Sequence, residues 1–491
     1  MNRRTKIVAT IGPASDSVEM LRDLIVAGVQ VVRLNLSHGS IDEHLVRLDR
    51  VRKAADDVNR HVAVLADLPG PKIRAGAFPA GGVQLVTGDS IRLRPGDGPS
   101  EASIMNVPYP TLLENLEPGS RVQLGDGAIS MCIMEVDDSE ATAKIEAGGH
   151  TSGEPGVHLS SDTLKLTTPT AEDLELAEVM ATAGVEFLAV SFVRRSADLD
   201  RVRDVVGSRA QLVAKIETRS SVEHLHEIVE ASDAVMVARG DLGIDCPIED
   251  VPHLQKKIVR HCVEVGVPVI SATQMLESMM TAPSPTRAEV SDIANAVFDG
   301  TDAVMLSGET AVGCDPVAVV ETMAKVAVRA ESEASYRQWA ERLGRVQRDD
   351  ERWAMRSIDP ITAAVTHAAS LAAVDANASA ILCCTHSGRT TRAMARFRPG
   401  ARMIGLSPDL AMVRTMAMSW GVEPLQVGTY DSTDEMVTSA VETALAVQKI
   451  SRGDTVLILA GTASNAQYAD PSSAPDPVSA ATDVMRIVYV D

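Results

Sequence analysis

No stretch of this 491-residue sequence is long and apolar enough to span a bilayer, which excludes a helical membrane protein. Met1-Asn2-Arg3-Arg4 leads into only a few apolar residues before Gly12-Pro13, too short for the apolar core of a secretion signal, so a cytoplasmic protein is expected. Cysteine is scarce: six residues, none in a Cys-x-x-Cys spacing, with one adjacent pair at Cys383-Cys384. That usage argues against a disulfide or zinc framework and reads as scattered core thiols in a reducing compartment. Positive charge is in deficit, with 46 Lys and Arg against 67 Asp and Glu and a formal net charge of −21. Nucleic acid and anionic membrane are therefore not expected as partners, and an anionic substrate would need a local basic pocket. Also absent are a G-x-x-x-x-G-K-[ST] loop, a G-x-G-x-x-G turn after a strand, and the H-R-D and D-F-G sets. A phosphotransferase with this sequence would belong to neither common nucleotide-binding class.

What is present is alternation. The length suits roughly three domains, and 45% hydrophobic residues suffice for sizeable cores. Short β-branched runs alternate with amphipathic stretches from Thr5 onward, the pattern of βα units. The runs are 6–11, 29–34, 62–66, 186–190, 212–216, 234–237, 267–270 and 303–306, eight in all, the number that closes a (β/α)8 TIM barrel. Each ends in polar or glycine-rich residues, among them Asn35-Leu36-Ser37-His38, Asp67, Ser191, Glu217, Asp241, Thr273 and Ser307-Gly308-Glu309. Between the third and fourth runs the helical period vanishes, and turn pairs such as Gly88-Asp89 and Pro118-Gly119 separate short alternating stretches. The expected organisation is an α/β barrel in two parts, residues 1–68 and 167–342, interrupted by an all-β lid domain at 69–166. An open α/β domain follows at 343–491, with strands near 380–384, 403–406, 422–427, 456–460 and 487–490.

In parallel α/β folds the reactive groups lie at the carboxyl ends of the strands. That rim would gather two carboxylates, an ammonium and a hydroxyl. Glu217 and Asp241 suit a hard divalent cation, which takes one or two carboxylates and completes its shell with water and substrate. Read singly, each is more often a helix cap or a surface charge. Lys215 lies two residues before Glu217 on the same strand and so faces the same side, where it could neutralise a phosphoryl group in flight or simply pair with Glu217. Arg239-Gly240-Asp241-Leu242-Gly243 lets backbone N–H groups approach an anion closely, or is a tight βα turn. Thr286-Arg287-Ala288-Glu289 reads as a structural capping box. Arg33, Asn35, Ser37 and His38 cluster after the second strand; His38 alone would be an ordinary loop histidine.

These stretches together resemble pyruvate kinase. The resemblance covers nearly the whole chain and rests on residues 5–15, Arg33-Leu34-Asn35-Leu36-Ser37-His38-Gly39, Lys215-Ile216-Glu217, Ala238 to Gly243, Ala272 to Met279 and Pro285 to Thr310. It implies phosphoryl transfer from phosphoenolpyruvate to ADP, Mg²⁺ or Mn²⁺ as cofactor, and a homotetramer with a C-terminal effector domain. It further implies that Glu217 and Asp241 bind the divalent cation, and that Lys215 and Arg33 stabilise the moving phosphoryl group. Thr273 would lie in the proton path to the enolate, and the amides of Gly240 and Asp241 would hold the substrate carboxylate. Asn35, Ser37 and Asp67 match a monovalent-cation site, while Asn35, His38 and Arg74 match nucleotide-side positions.

The sequence departs from the family in four places. Glu154-Pro155 replaces the lid-hinge lysine, Ser160-Ser161 replaces Pro-Gly, and Gly125-Asp126-Gly127 replaces paired aspartates, which bears on lid closure and ADP affinity. After Asp67, where potassium-requiring members have Thr-Lys-Gly-Pro-Glu, this chain has Leu68-Pro69-Gly70-Pro71-Lys72. A fixed ammonium at Lys72 would repel a neighbouring K⁺ and supply the same charge, so K⁺ is not expected to be required; the alternative is a surface ion pair. In the C-terminal domain, Thr385-His386-Ser387-Gly388-Arg389-Thr390 joins a strand to a helix and could bind a phosphorylated effector through Thr385, Ser387, Gly388, Arg389 and Thr390, or be an ordinary capped helix. Residues 460–480 carry no Lys or Arg, so a monophosphate is favoured over fructose 1,6-bisphosphate.

Overall fold

The eight β-branched runs form the eight parallel strands of a closed barrel in the computed structural model, which describes residues 3–71, 73–125, 129–159, 167–334, 336–349, 358–430, 432–461 and 481–491. The strands are Lys6–Thr10, Val31–Asn35, Ala63–Asp67, Phe187–Val190, Gln211–Ile216, Ala234–Ala238, Val269–Ala272 and Ala303–Leu306. Lys6 pairs with Ala303, so the first strand closes onto the eighth. Four strands start later than their apolar runs, two of them by two residues. Val29 is drawn into the preceding helix end, where its N–H donates to Leu24 O, and Pro268 has no N–H to give to a ladder.

Alternation along the strands sorts the side chains into two layers. Val8, Val31, Leu65, Phe187, Val213, Met236, Ile270 and Met305 fill the barrel interior, while Ile7, Val32, Val64, Leu188 and Leu212 pack against the surrounding helices. The interior cluster also contains Ala417 and Met418, from a 3₁₀ turn of the C-terminal region at Met416–Met418. That turn plugs the floor of the barrel, and truncating Met418 to Ala should cost about 2–5 kcal/mol. Around the plug, Lys6 Nζ donates to Val422 O at 2.6 Å, and the buried pair Arg398 Nη1–Asp302 Oδ1 spans 2.9 Å.

Between the third and fourth barrel strands lie a six-stranded sheet and a two-stranded one, with strands such as Ile129–Val136 and Ala141–Ala147 that alternate buried and exposed residues around their own core. The C-terminal sheet runs in the order Val422–Gln426, Arg402–Ser407, Ala380–Cys384, Thr455–Ala460, Val484–Tyr489, with only the last strand antiparallel. The boundary expected at 342/343 falls inside a helix, Tyr336–Asp349. All six cysteines are free thiols, but Cys314 is exposed and Cys132 half-buried, so only four are core residues. Among the described residues no helix is long and apolar enough to cross a membrane.

Candidate active site at the barrel mouth

The carboxyl ends of the strands converge on a cleft of about 510 Å³ between the barrel and the inserted β region. Its lining includes Asn35, His38, Arg74, Glu217, Gly240, Asp241 and Thr273, drawn from strand ends far apart in sequence. Arg33, Asp67 and Lys215 are not part of that surface; they form the layer beneath it. Asp67 is 1% exposed and joins the two cations: Arg33 Nε donates to its Oδ2 at 2.7 Å, and Lys215 Nζ lies 3.3 Å from its Oδ1. Asn35 and Asp67 are direct ladder partners, and Arg33 Nη1 also donates to Thr10 Oγ1 at 3.1 Å. Asn35 Oδ1 accepts from the Ser37 amide at 3.3 Å, and the His38 carbonyl accepts from His44 Nε2 at 2.8 Å, so the loop after the second strand is tied down at both ends.

Lys215 Nζ donates to Ser191 Oγ at 2.7 Å and forms ion pairs with Glu217 Oε1 at 2.9 Å and Asp67 Oδ1 at 3.3 Å. Burial favours the neutral amine, but the carboxylates of Asp67, Glu217 and Asp241 outweigh it and hold Lys215 firmly protonated, its pKa raised. Glu217 is affected the other way. Burial pushes its carboxyl up to about 7; the Lys215 ammonium opposes the shift and Asp241 adds to it. A cation would relieve that crowding of negative charge.

The donor set fits such an ion. Glu217 and Asp241 both face the cleft, and among the described residues no group of three or more His, Cys, Asp or Glu could hold a metal alone. Two carboxylates with room left over suit a hard divalent cation that takes its other ligands from substrate and water.

Asp241 is placed by a short helix, Arg239–Asp245, that begins directly after the sixth strand and leaves its first-turn N–H groups without helical partners. The Gly240 amide donates to Thr273 Oγ1 at 2.9 Å, and Thr273 Oγ1 donates to Ala272 O at 2.7 Å. Thr273 and Gln274 both have left-handed backbones, φ 68° and 54°. For a β-branched residue such as Thr273 this costs about 1–3 kcal/mol and persists only where the surroundings enforce it.

Sequence reasoning left several residues of the site without a role. Ser191 is visible in the sequence as a polar strand end, but not as the acceptor of a Lys215 N–H. The next residue, Phe192, has φ 56° and aims its amide at Glu217 Oε2, 2.7 Å away. Nothing in the side-chain sequence signals that turn. Glu309 is 3% exposed, lines the cleft and accepts from the amides of Leu276 at 3.1 Å and Ser307 at 2.7 Å, tying the seventh strand end to the eighth. Its signal was the acid in Ser307-Gly308-Glu309.

The sequence matches the family model of the pyruvate kinase barrel domain over residues 2–320 and that of the pyruvate kinase alpha/beta domain over residues 363–470. The chain belongs to the pyruvate kinase family. It is 38% identical over 489 residues to a pyruvate kinase of Methylorubrum extorquens (strain AM1), covering 100% of this chain and 98% of that one. With the pyruvate kinase of Sporosarcina psychrophila it shares 39% identity over 465 residues, and with that of Geobacillus stearothermophilus 39% over 469, in each case 94% of this chain and 78% of the relative.

Two regions expected to bear on lid closure and on effector binding are partly visible. At the lid hinge, Ala75 N donates to Pro155 O at 2.9 Å, Val157 N to Ile73 O at 2.8 Å, and Arg74 Nη1 to Glu154 O at 3.1 Å, so the outgoing and returning chains pair with each other. Lys72, Asp126-Gly127 and Ser160-Ser161 lie outside the described residues. In the C-terminal region, Thr385 Oγ1 accepts from the Gly388 amide at 2.9 Å and Thr390 Oγ1 bonds Thr482 Oγ1 at 2.7 Å, both hydroxyls buried; Ser387 is half-buried and Arg389 exposed. Residues 462–480, the second expected effector loop, are outside the described residues.

Proposed function

We propose that the chain transfers the phosphoryl group of phosphoenolpyruvate to ADP at the barrel mouth, with Lys215 as the residue most responsible for rate. The bond between phosphorus and the enol oxygen breaks, a bond to a terminal ADP oxygen forms, and the enolate left behind takes a proton at C3 to give pyruvate. The observation that carries this reading is the Lys215 ammonium, buried yet charged, bracketed by Asp67 and Glu217 beneath a cleft open to substrate. A phosphoryl group in flight is served mainly by positioned positive charge, and Lys215 and Arg33 share Asp67 as a common anchor. Turning one Lys215 N–H from a carboxylate to the substrate costs little once those carboxylates are neutralised.

Mg²⁺, which family members generally use, would be held by Glu217 and Asp241 and would neutralise charge on the substrate oxygens. The Gly240 and Asp241 amides bind the substrate carboxylate; as Gly240 N–H turns to it, a lone pair of Thr273 Oγ1 is freed to take a solvent proton while the hydroxyl proton, now held by Ala272 O, passes to C3. Asn35, His38 and Arg74 form the nucleotide side. Asn35, Ser37 and Asp67 form the monovalent-cation site, where Lys72 takes the place of K⁺. Thr385 to Thr390 serve a phosphorylated effector, a monophosphate before fructose 1,6-bisphosphate, on a homotetramer working in the cytoplasm.

Purified protein given phosphoenolpyruvate, ADP and Mg²⁺ should form pyruvate and ATP in equal amounts, and an absence of both would refute the activity. Turnover should proceed in tetramethylammonium buffer; a stimulation by K⁺ above about tenfold at constant ionic strength would refute the role of Lys72.

A further inference from the structure

Thr273 and Gln274 stand in a conformation that a threonine–glutamine pair would not choose, and one side chain accounts for it. Arg239 Nε donates to Ala272 O at 3.0 Å and its Nη2 donates to Thr273 O, so the planar guanidinium grips two consecutive carbonyls of the turn. The other end of the fork is fixed as well: Nη1 donates to Asp292 Oδ2 at 2.6 Å, on the helix Arg287–Asp299, and reaches Gln255 Oε1 at 3.4 Å. Arg239 is not among the residues facing the cleft, its side chain is only 9% exposed, and the groups around it are protein carbonyls, an amide and a carboxylate. Four of its five N–H donors are thereby taken up by protein groups.

We propose that Arg239, anchored by Asp292, is a positioning residue that locks the Ala272–Gln274 turn in its left-handed form and thereby aims the Thr273 hydroxyl at the cleft. The inference rests on the reading of Thr273 as the proton relay. A left-handed pair of non-glycine residues relaxes unless its carbonyls are held. Arg239 grips Ala272 O and Thr273 O, and the Thr273 hydroxyl, itself donating to Ala272 O at 2.7 Å, accepts from the Gly240 amide at the cleft wall. Lysine cannot substitute, because a single ammonium does not reproduce the planar fork that spans two carbonyls and a carboxylate. Arg239 thus acts on the second half of the reaction, protonation of the enolate, rather than on phosphoryl transfer itself.

The test isolates that half-reaction. Pyruvate bound with Mg²⁺ should exchange its methyl hydrogens with D₂O, a C3–H bond breaking to the enolate and a deuteron returning by the same path, with no phosphoryl transfer involved. Thr273→Val should slow this exchange on the order of 10²-fold, as loss of a positioned acid–base group does. Arg239→Met should slow it by roughly 10-fold or more through misplacement of Thr273, and Arg239→Lys should not restore it. The decisive sample is the double variant. If Arg239 acts through Thr273, adding Arg239→Met to Thr273→Val changes exchange by less than about threefold. If the losses multiply, or if Arg239→Met leaves exchange at the wild-type rate, the positioning role is wrong. If Thr273→Val itself leaves exchange unchanged, the relay reading of Thr273 fails instead, and the two failures are told apart. Asp292→Asn, which keeps Arg239 in place but weakens its anchor, gives the same readout at smaller amplitude should Arg239→Met fold poorly.

Discussion

The barrel mouth and the Thr385–Thr390 turn have the same local design, a buried parallel strand running into a short helix through polar residues, yet they spend those polar atoms differently. At the C-terminal turn, Thr385 satisfies the Gly388 amide and Thr390 pairs with Thr482, so the hydroxyls close the structure on itself. At the barrel mouth, Lys215 is bracketed by Asp67 and Glu217, and the Glu217 carboxyl is pushed by burial to about 7, a state that an added cation would relieve. A single strand end can satisfy itself with its own turn. Eight strand ends on one ring bring charges together that no local turn can satisfy, and that surplus is what a substrate and a metal can use.

The comparison would break most visibly at Lys215. Lys215→Met should lower phosphoryl transfer on the order of 10³-fold or more, because the charge matters most in the transition state, and a steady-state assay showing a loss below about tenfold would remove Lys215 from the mechanism. Next in size, Glu217→Gln and Asp241→Asn should weaken divalent-cation binding, so activity lost at low Mg²⁺ should return in part when Mg²⁺ or Mn²⁺ is raised; no recovery would mark them as structural.

The seam between the two regions offers a stability test. Lys6, on the first barrel strand, is buried against Val422 of the C-terminal sheet, and burial, with Arg3 nearby, lowers its pKa to about 8. Its folded value lies below the unfolded one, so the unfolded chain binds more protons between pH 8 and 10.5 and folding is favoured increasingly as pH rises through that window. Relative to Lys6→Met, the wild type should gain on the order of 1–3 kcal/mol across it, and a flat difference in denaturant midpoints would contradict the assignment. The smallest effect belongs to the C-terminal turn: Thr385→Val should cost about 1 kcal/mol of stability through the lost bond to Gly388 while leaving basal turnover within about twofold. A large loss of basal turnover would show that the turn is not self-contained.

Much of this was legible in the sequence because barrel strands are buried on both faces and therefore read as unbroken β-branched runs, each ending where the polar residues begin. Glu217, Asp241 and Thr273 could be named as rim residues for that reason alone. Their layering could not: that Asp67 and Lys215 sit beneath the cleft while Asn35 and Thr273 face it depends on which way each strand twists at its end. The left-handed turns at Phe192 and Thr273 were also illegible, since both residues disfavour positive φ and are held there by partners distant in sequence, Glu217 accepting from the Phe192 amide and Arg239 gripping the Thr273 carbonyl. At the C-terminal turn the hydroxyl-rich composition was legible, but not that Thr482, far along the chain, bonds the Thr390 hydroxyl.

The central claim is that Lys215 serves the phosphoryl group in flight rather than the bound substrate. The most direct measurement is an equilibrium titration of phosphoenolpyruvate onto Lys215→Met in the presence of Mn²⁺, on the same preparation whose turnover has been lost. The account predicts a dissociation constant within about fivefold of the wild type. A loss of affinity that matches the loss of turnover would contradict it and make Lys215 a substrate-binding residue instead.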